Sequence, residues 1–114
     1  MNKLLSLIVI MLIAVSTISA QEEKVTETEF KVFGNCNMCK TRIEKAVKID
    51  GVKYAKWNKN SKMLRVIFEA PATVDSLQKK IAEVGHDTEK YKAKDDVYAA
   101  LPKCCLYRDN PATH

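Results

Sequence analysis

The sequence predicts one α+β domain in which two helices cover one face of an antiparallel sheet, followed by a C-terminal tail. Segments that alternate apolar and polar residues are separated by segments of helical periodicity, in the order β-α-β-β-α-β. The length of 114 residues accommodates one domain of ordinary size and leaves no room for a second. A composition of 46% hydrophobic and 29% charged residues excludes a disordered or collagen-like chain.

The first 20 residues are typical of a secretory signal peptide. Lys3 supplies a positive start, residues 4–18 are apolar and uncharged, and Ala20 is a small residue before a polar stretch. We expect cleavage after Ala20, with an uncleaved membrane anchor as the alternative. Residues 21–27 then form a polar leader, and the protein is expected to be exported, either to a periplasm or out of the cell.

The first half of the mature chain predicts a strand, a loop and a helix. Residues 28–33 alternate well enough for a strand, which ends at Gly34. From Cys39 onward the apolar residues recur at helical spacing, and Gly51 ends that helix. The loop between the strand and the helix therefore contains Cys36 and leads into Cys39.

The second half predicts two strands, a helix and a weak final strand. The strands cover residues 52–57 and 63–69, and a short fourth strand covers residues 88–92. Thr73 is a candidate N-cap for the second helix, which Gly85 ends. This order of elements is the ferredoxin-like, split βαβ arrangement. Three aromatic side chains are expected in the core or on a sheet face: Phe30, Trp57 and Phe68.

Cys36 and Cys39 are the residues with the clearest chemical meaning. Both thiols can converge on one soft ion, because Cys39 lies in the first helical turn and curls back toward the loop. The helix N-terminus lowers the pKa of a thiol, which favours the thiolate that soft metals require. Two sulfurs suffice for near-linear Cu(I) or Hg(II), whereas a structural zinc site usually has four ligands. Alone, the same motif also serves thiol–disulfide exchange, half a zinc site or a structural disulfide.

Placed on this order of elements, the motif resembles that of the heavy-metal-associated domain family. The family includes copper chaperones, N-terminal modules of copper ATPases and periplasmic mercury-binding proteins. The matching segments are residues 34–39, 43–47, 50–52, 55–57 and 84–86. The resemblance covers residues 28–92 and implies metal binding by Cys36 and Cys39. It says nothing about the tail, residues 93–114.

Three positions near this motif have open interpretations. The family's loop begins with Met where this chain has Gly34, which we expect to make the loop more adaptable. Met38 lies within the motif and is expected to pack or to be exposed rather than to bind the ion. His86 follows the glycine that ends the second helix, in a loop that the resemblance places beside the metal. It is an additional ligand, a hydrogen-bond partner of a thiolate, or a surface histidine in a turn.

The tail has apolar residues of its own and is expected to pack back on the domain. It carries Cys104 and Cys105, which on an extended backbone would point in opposite directions and are not expected to chelate one ion together. We expect one of them to reach the metal loop as an additional ligand, or to form a disulfide with Cys36 or Cys39. Intermolecular pairing and plain apolar packing are the alternatives.

The sequence therefore predicts an exported metallochaperone, a carrier or scavenger that transfers a soft ion by thiolate exchange. Cu(I) is the expected ion, Hg(II) and Zn(II) are alternatives, and the expected partner is a metal-transporting or metal-accepting protein. No covalent change in a substrate is implied, so enzyme activity is not expected. Nucleic-acid binding is not expected either, because the glycine–aromatic strand motif of RNA-recognition domains is missing. No membrane span is expected after signal cleavage.

Two other classes of function remain as alternatives. A thiol–disulfide oxidoreductase would use Cys36 as nucleophile and Cys39 as resolving thiol, although the thioredoxin-like β-α-β-α pattern is missing. An interaction domain would instead be stapled by a Cys36–Cys39 disulfide and a tail disulfide. Copper binding under reducing conditions separates the metal carrier from both.

Overall fold

The computed structural model describes residues 24–109, which form a three-stranded antiparallel sheet with helices packed against it. Strand β1 spans Thr26–Lys31, β2 spans Val52–Trp57 and β3 spans Met63–Phe68, in the spatial order β1-β3-β2. The second and third strands lie where the sequence predicts them, and β1 begins and ends two residues earlier than predicted. The predicted signal peptide, residues 1–20, lies outside the described residues.

Three helices and two short 3-10 turns complete the described part of the chain. Helix α1 spans Asn37–Ala46, α2 spans Val74–Glu83 and α3 spans Asp95–Ala99. The 3-10 turns cover Lys103–Cys105 and Tyr107–Asp109 in the tail. Within residues 24–109, no helix combines the length and the apolar character that crossing a membrane requires.

Helix α2 begins and ends as its sequence predicts. The backbone N–H of Ser76 donates to the Thr73 hydroxyl at 3.0 Å, and the Thr73 N–H donates to the Ser76 hydroxyl at 3.0 Å. Gly85 follows the helix with a φ of +106°, a left-handed conformation that favours glycine. A Cβ at Gly85 would lie 3.0 Å from Leu101 Cδ2, so this glycine also lets the tail approach the end of α2.

The core lies between the sheet and helices α1 and α2. In the strand register, Leu64 of β3 lies between Phe30 of β1 and Trp57 of β2. Phe30, Trp57 and Phe68 are at most 6% exposed, so the prediction that they belong to the core is confirmed. Burying each such side chain stabilises the fold by about 1.5–3 kcal/mol. The other large apolar members of the core are Val32, Ile43, Val47, Leu64, Val66, Leu77 and Ile81.

The predicted fourth strand, residues 88–92, is wrong in extent, because only an antiparallel bridge between Val32 and Thr88 forms. The backbone N–H of Lys31 donates to the Glu89 carboxylate at 2.8 Å, in the place that a longer strand would bond through its backbone. Thr88 also starts a tight turn, in which its backbone N–H donates to the Tyr91 carbonyl and its hydroxyl accepts from the Tyr91 N–H. The ferredoxin-like fold is kept, with its last strand reduced to one bridge.

Candidate metal centre

Cys36 and Cys39 lie where the loop after β1 meets helix α1. Cys36 immediately precedes the helix with an extended φ of −145°, and Cys39 is in the first turn. Their sulfurs are 3.2 Å apart. Cys36 is half-buried and Cys39 is fully buried, with its thiol donating to Asn35 Oδ1 at 3.4 Å. The two thiols converge as their spacing predicts, and metal binding by the pair stays a prediction.

Cys104 and Cys105 of the tail lie against Cys36. The Cys36 sulfur is 3.6 Å from the Cys104 sulfur and 3.3 Å from the Cys105 sulfur, and the tail sulfurs are 3.9 Å apart. All four cysteines are free thiols. Three of them, Cys36, Cys104 and Cys105, form a group able to hold a metal ion, with sulfurs all within 4.8 Å of one another.

The prediction that the tail packs back on the domain is confirmed. The expectation that Cys104 and Cys105 point in opposite directions is wrong, because their backbone is a 3-10 turn and not an extended segment. A 3-10 helix turns about 120° per residue, so neighbouring side chains diverge less than on a strand. Both tail sulfurs therefore face Cys36.

Tyr107 anchors the tail beside this cluster. Its ring is 1% exposed, with its centre 5.5 Å from that of His86 and 6.4 Å from that of Phe33. Its hydroxyl donates to the Gly85 carbonyl at 2.8 Å and accepts from the Asp87 backbone N–H at 2.8 Å. The position of the neighbouring Cys105 is thus fixed by hydrogen bonds as well as by apolar burial.

Arg108 fastens the end of the described tail. Its guanidinium donates twice to the Asp87 carboxylate, at 2.7 and 3.1 Å, and once to the Ala93 carbonyl at 2.7 Å. It also lies 4.2 Å from the ring centre of Tyr98. Burial would raise the pKa of Asp87, but the hydrogen bonds from Arg108 lower it below its usual range.

The sulfur of Cys36 is the most readily ionised of the four. Burial raises the pKa of Cys36, but hydrogen bonds with Cys39, Cys105 and Cys104 outweigh burial and lower it to about 7. Burial raises the pKa of Cys39, and its contact with the Cys36 sulfur raises it further. Cys36 is therefore substantially a thiolate near neutral pH, with protonated thiols around it.

The tail thiols keep their protons in this arrangement. Contact with Cys36 raises the pKa of Cys104 to about 11, and burial together with Cys39 and Cys36 raises that of Cys105 to about 12. Arg42 opposes the shift at Cys105, because its Nη1 donates to the Cys105 sulfur at 3.3 Å. Arg42 is a member of the site that the sequence did not indicate, although it follows Cys39 by three residues and so shares its side of the helix.

Gly34 is packed tightly and does not simply loosen the loop. A Cβ at this position would lie 3.0 Å from the Cβ of Cys39 and 3.1 Å from Cη2 of Trp57. The indole is held in place because its Nε1 donates to the carbonyls of Val32 and Lys62, at 3.0 and 3.2 Å. Trp57 thus packs against the start of the cysteine loop at Gly34, a role that its position in a strand did not indicate.

His86 is in the core, so its interpretation as a surface histidine is wrong. Its ring is 0% exposed, and Nδ1 donates to the Phe33 carbonyl at 2.8 Å. Burial lowers the pKa of His86 to about 4, so the ring is neutral at physiological pH. Among the described residues Nε2 has no hydrogen-bond partner. His86 is not part of the compact group formed by Cys36, Cys104 and Cys105, and its role as a ligand stays a prediction.

Met38 is 52% exposed, which is one of the two outcomes expected for it. Its thioether is nevertheless close to the thiols, because the Cys104 thiol donates to Met38 Sδ at 3.4 Å. Cys104 is itself exposed. The open side of the cluster is therefore lined by Met38 and Cys104, both of which carry soft sulfur donors.

Solved structures provide the comparison with known proteins, because no protein-family model and no curated protein matches the chain. The CopZ metallochaperone is 27% identical over 55% of this chain and 98% of its own, with a TM-score of 0.53. The N-terminal soluble domains of Bacillus subtilis CopA are 28% identical over 59% of this chain and 48% of their own, with a TM-score of 0.54.

A third match is the N-terminal domain of a potential copper-translocating P-type ATPase from Bacillus subtilis, in the Cu(I)-loaded state. It is 27% identical over 65% of this chain and 96% of its own, with a TM-score of 0.55. These likenesses agree with the fold described above and with the resemblance that the cysteine loop suggests. The chain thus contains a ferredoxin-like domain that resembles the heavy-metal-associated domains of copper chaperones, with four thiols gathered at the start of helix α1.

Proposed function

We propose that the protein is an exported carrier or scavenger of Cu(I), which it binds through Cys36 and Cys39 and passes to a metal-accepting protein. The observation that carries this proposal is the pair of sulfurs 3.2 Å apart at the N-terminus of α1. Thiolates select soft ions over Mg²⁺ and Ca²⁺. The likeness to a metallochaperone and to a Cu(I)-loaded domain favours copper over Hg(II) and Zn(II).

Transfer would proceed by ligand exchange without a change of oxidation state. A thiolate of the acceptor forms a new sulfur–copper bond, which gives a three-coordinate intermediate, and the bond to Cys36 then breaks. Cys39 is released last, because it is buried whereas Cys36 is half-buried. No covalent bond of a substrate is made or broken, and we therefore assign no enzyme activity.

Export is part of the proposal and rests on the signal-like residues 1–20. Outside the cytosol thiols tend to oxidise, so the carrier has to be loaded while Cys36 and Cys39 are reduced. Mass spectrometry of the protein from its producing cell tests this part. We expect an N-terminus at Gln21, and a mature species that still begins at Met1 would contradict cleavage.

The binding proposal is tested by anaerobic titration of the reduced protein with Cu(I), in competition with a chelator of known affinity. Cys36→Ser and Cys39→Ser are each expected to lower the Cu(I) affinity by orders of magnitude, because each variant removes one of the two thiolates of the pair. Asn37→Ser is the matched control, since it changes an exposed residue between the two cysteines and keeps both thiols. Near-wild-type affinity in either cysteine variant would contradict the assignment.

A thiol–disulfide oxidoreductase is the second candidate, favoured by the Cys36 thiolate and its pKa of about 7. Its three neighbouring thiols lie 3.2–3.6 Å away, in reach of a disulfide exchange. Catalytic reduction of insulin that depends on Cys36, in a protein that fails to bind Cu(I), would favour this candidate over the carrier.

A further inference from the structure

We infer that the tail completes the site: Cys104 and Cys105 join Cys36 and Cys39 around one soft ion, which then has at least three thiolate ligands. This inference deepens the proposed function and rests on it. The cysteine loop alone would supply two ligands. The tail changes the number of sulfur ligands of the ion and the rate at which the ion is released.

The spacing of the sulfurs favours more than two ligands. With metal–sulfur bonds of about 2.3 Å, a linear ion needs its two sulfurs about 4.6 Å apart, a trigonal one about 4.0 Å and a tetrahedral one about 3.8 Å. Cys36 and Cys39 are only 3.2 Å apart, so linear binding would have to separate them by about 1.4 Å. The triangle formed by Cys36, Cys104 and Cys105 has edges of 3.3, 3.6 and 3.9 Å, much closer to three- or four-coordination.

The tail is held in this position by contacts that do not involve the thiols. Tyr107 hydrogen-bonds to Gly85 and Asp87, Arg108 pairs with Asp87, and Leu101 packs against Gly85. These contacts lie on both sides of the Cys104–Cys105 pair in the sequence. The two sulfurs are thus placed beside Cys36 before any ion arrives, and preorganised ligands lose little conformational freedom on binding.

The surrounding charge also suits a site with several thiolates. Arg42 donates to the Cys105 sulfur at 3.3 Å, and its positive charge offsets part of the negative charge that a third thiolate would add. Cys105 is 0% exposed, so such a thiolate would otherwise be costly. Arg42 therefore makes ionisation of Cys105 compatible with its burial once an ion is bound.

The four sulfurs differ in depth, which gives the site an inner and an outer side. Cys39 and Cys105 are buried, Cys36 is half-buried, and Cys104 is exposed beside the thioether of Met38. An acceptor thiolate reaches the ion on the outer side, where its new sulfur–metal bond replaces the bond to Cys104 before the bond to Cys36 breaks. The inner ligands retain the ion until that exchange has begun, so release is slower than from a two-cysteine loop.

X-ray absorption of the reduced mature chain, residues 21–114, loaded with one Cu(I) per chain, counts the sulfur ligands directly. We expect three or more sulfurs in the wild type and two in the Cys104→Ser/Cys105→Ser variant. The variant is also expected to bind Cu(I) at least about tenfold more weakly, since outer-shell changes alone cost about 10–100-fold. It should release Cu(I) faster to bathocuproine disulfonate.

Lys103→Ser is the matched control, because it alters an exposed residue of the same 3-10 turn and keeps both thiols. Cys104→Ser changes only an exposed position, so it tests the faster release even where loss of the buried Cys105 disturbs folding. Two sulfurs in the wild type would overturn the inference and leave the Cys36–Cys39 carrier intact. Near-wild-type Cu(I) affinity in the Cys36→Ser/Cys39→Ser double variant would instead overturn the proposed function.

Discussion

The hydroxyl of Tyr107 donates a hydrogen bond to the carbonyl of Gly85, over 2.8 Å, and so joins the tail to the end of helix α2. The same oxygen accepts a hydrogen bond from the backbone N–H of Asp87. Because Tyr107 follows Cys105 by two residues, this contact determines where the tail thiols lie. The phenol is therefore a structural element that positions the thiol cluster.

Replacing Tyr107 by Phe is expected to lower the free energy of unfolding by about 1–3 kcal/mol. The change removes the donor to the Gly85 carbonyl and the acceptor of the Asp87 N–H, and unpaired buried polar groups cost about this much. Urea unfolding of the metal-free, reduced protein measures the loss. Tyr54→Phe is the control, since Tyr54 is 42% exposed. Equal stability of the two variants would show that the Tyr107 hydroxyl is not needed.

Cys36 is expected to react first with iodoacetamide in the metal-free protein. The thiolate is the nucleophile, and its population rises as the pH passes through the pKa of about 7 for Cys36. The pKa values of about 11 for Cys104 and about 12 for Cys105 keep those thiols protonated in the same range. Peptide mass spectrometry after brief alkylation between pH 5.5 and 9 should place the half-maximal rate at about pH 7.

The alkylation experiment has a direct control in Cys36→Ser, which should lose the fast reaction. The comparison with Cys104 is informative because Cys104 is the more exposed of the two. If accessibility alone decided reactivity, Cys104 would react first at pH 7. That result would contradict the hydrogen-bonded thiolate described for Cys36.

Gly34→Ala is expected to destabilise the protein by about 1–3 kcal/mol, the usual cost of an overpacked core. The new Cβ would lie 3.0 Å from the Cβ of Cys39 and 3.1 Å from the ring of Trp57. In a Trp57→Phe background the ring atom nearest to Gly34 is gone, so the same substitution should cost less. A double-mutant cycle from thermal unfolding measures this coupling. Additive effects would mean that Trp57 does not limit the space at Gly34.

Much of the fold could be predicted because its signals are local. The alternation in β2 and β3, the Thr73 cap and the glycine after α2 each involve residues a few positions apart. The extent of the fourth strand could not be predicted from such local signals. It is limited by Glu89, whose side-chain carboxylate accepts a hydrogen bond from the backbone N–H of Lys31, 58 residues earlier in the chain.

The candidate site likewise has parts that local sequence signals predict and parts that they do not. The convergence of Cys36 and Cys39 follows from their spacing at a helix start, and the apolar tail indicated that it would pack back on the domain. The 3-10 turn at Cys104 and Cys105 had no local signal. The burial of His86 depends on Tyr107, whose ring stacks on it from another segment. The role of Arg42 could not be predicted either, because its partner, Cys105, lies in the tail 63 residues later in the chain.

The contact between Cys36 and Cys105 joins points 69 residues apart in the sequence. An ion held by both sulfurs would act as a reversible cross-link that closes almost the whole domain into a ring. In a polymer model, a ring of this size removes about 4 kcal/mol of chain entropy from the unfolded state. Binding of the ion would then be coupled to the stability of the fold. The loaded protein would resist unfolding and proteolysis, and delivery of the ion would return the protein to its less stable form.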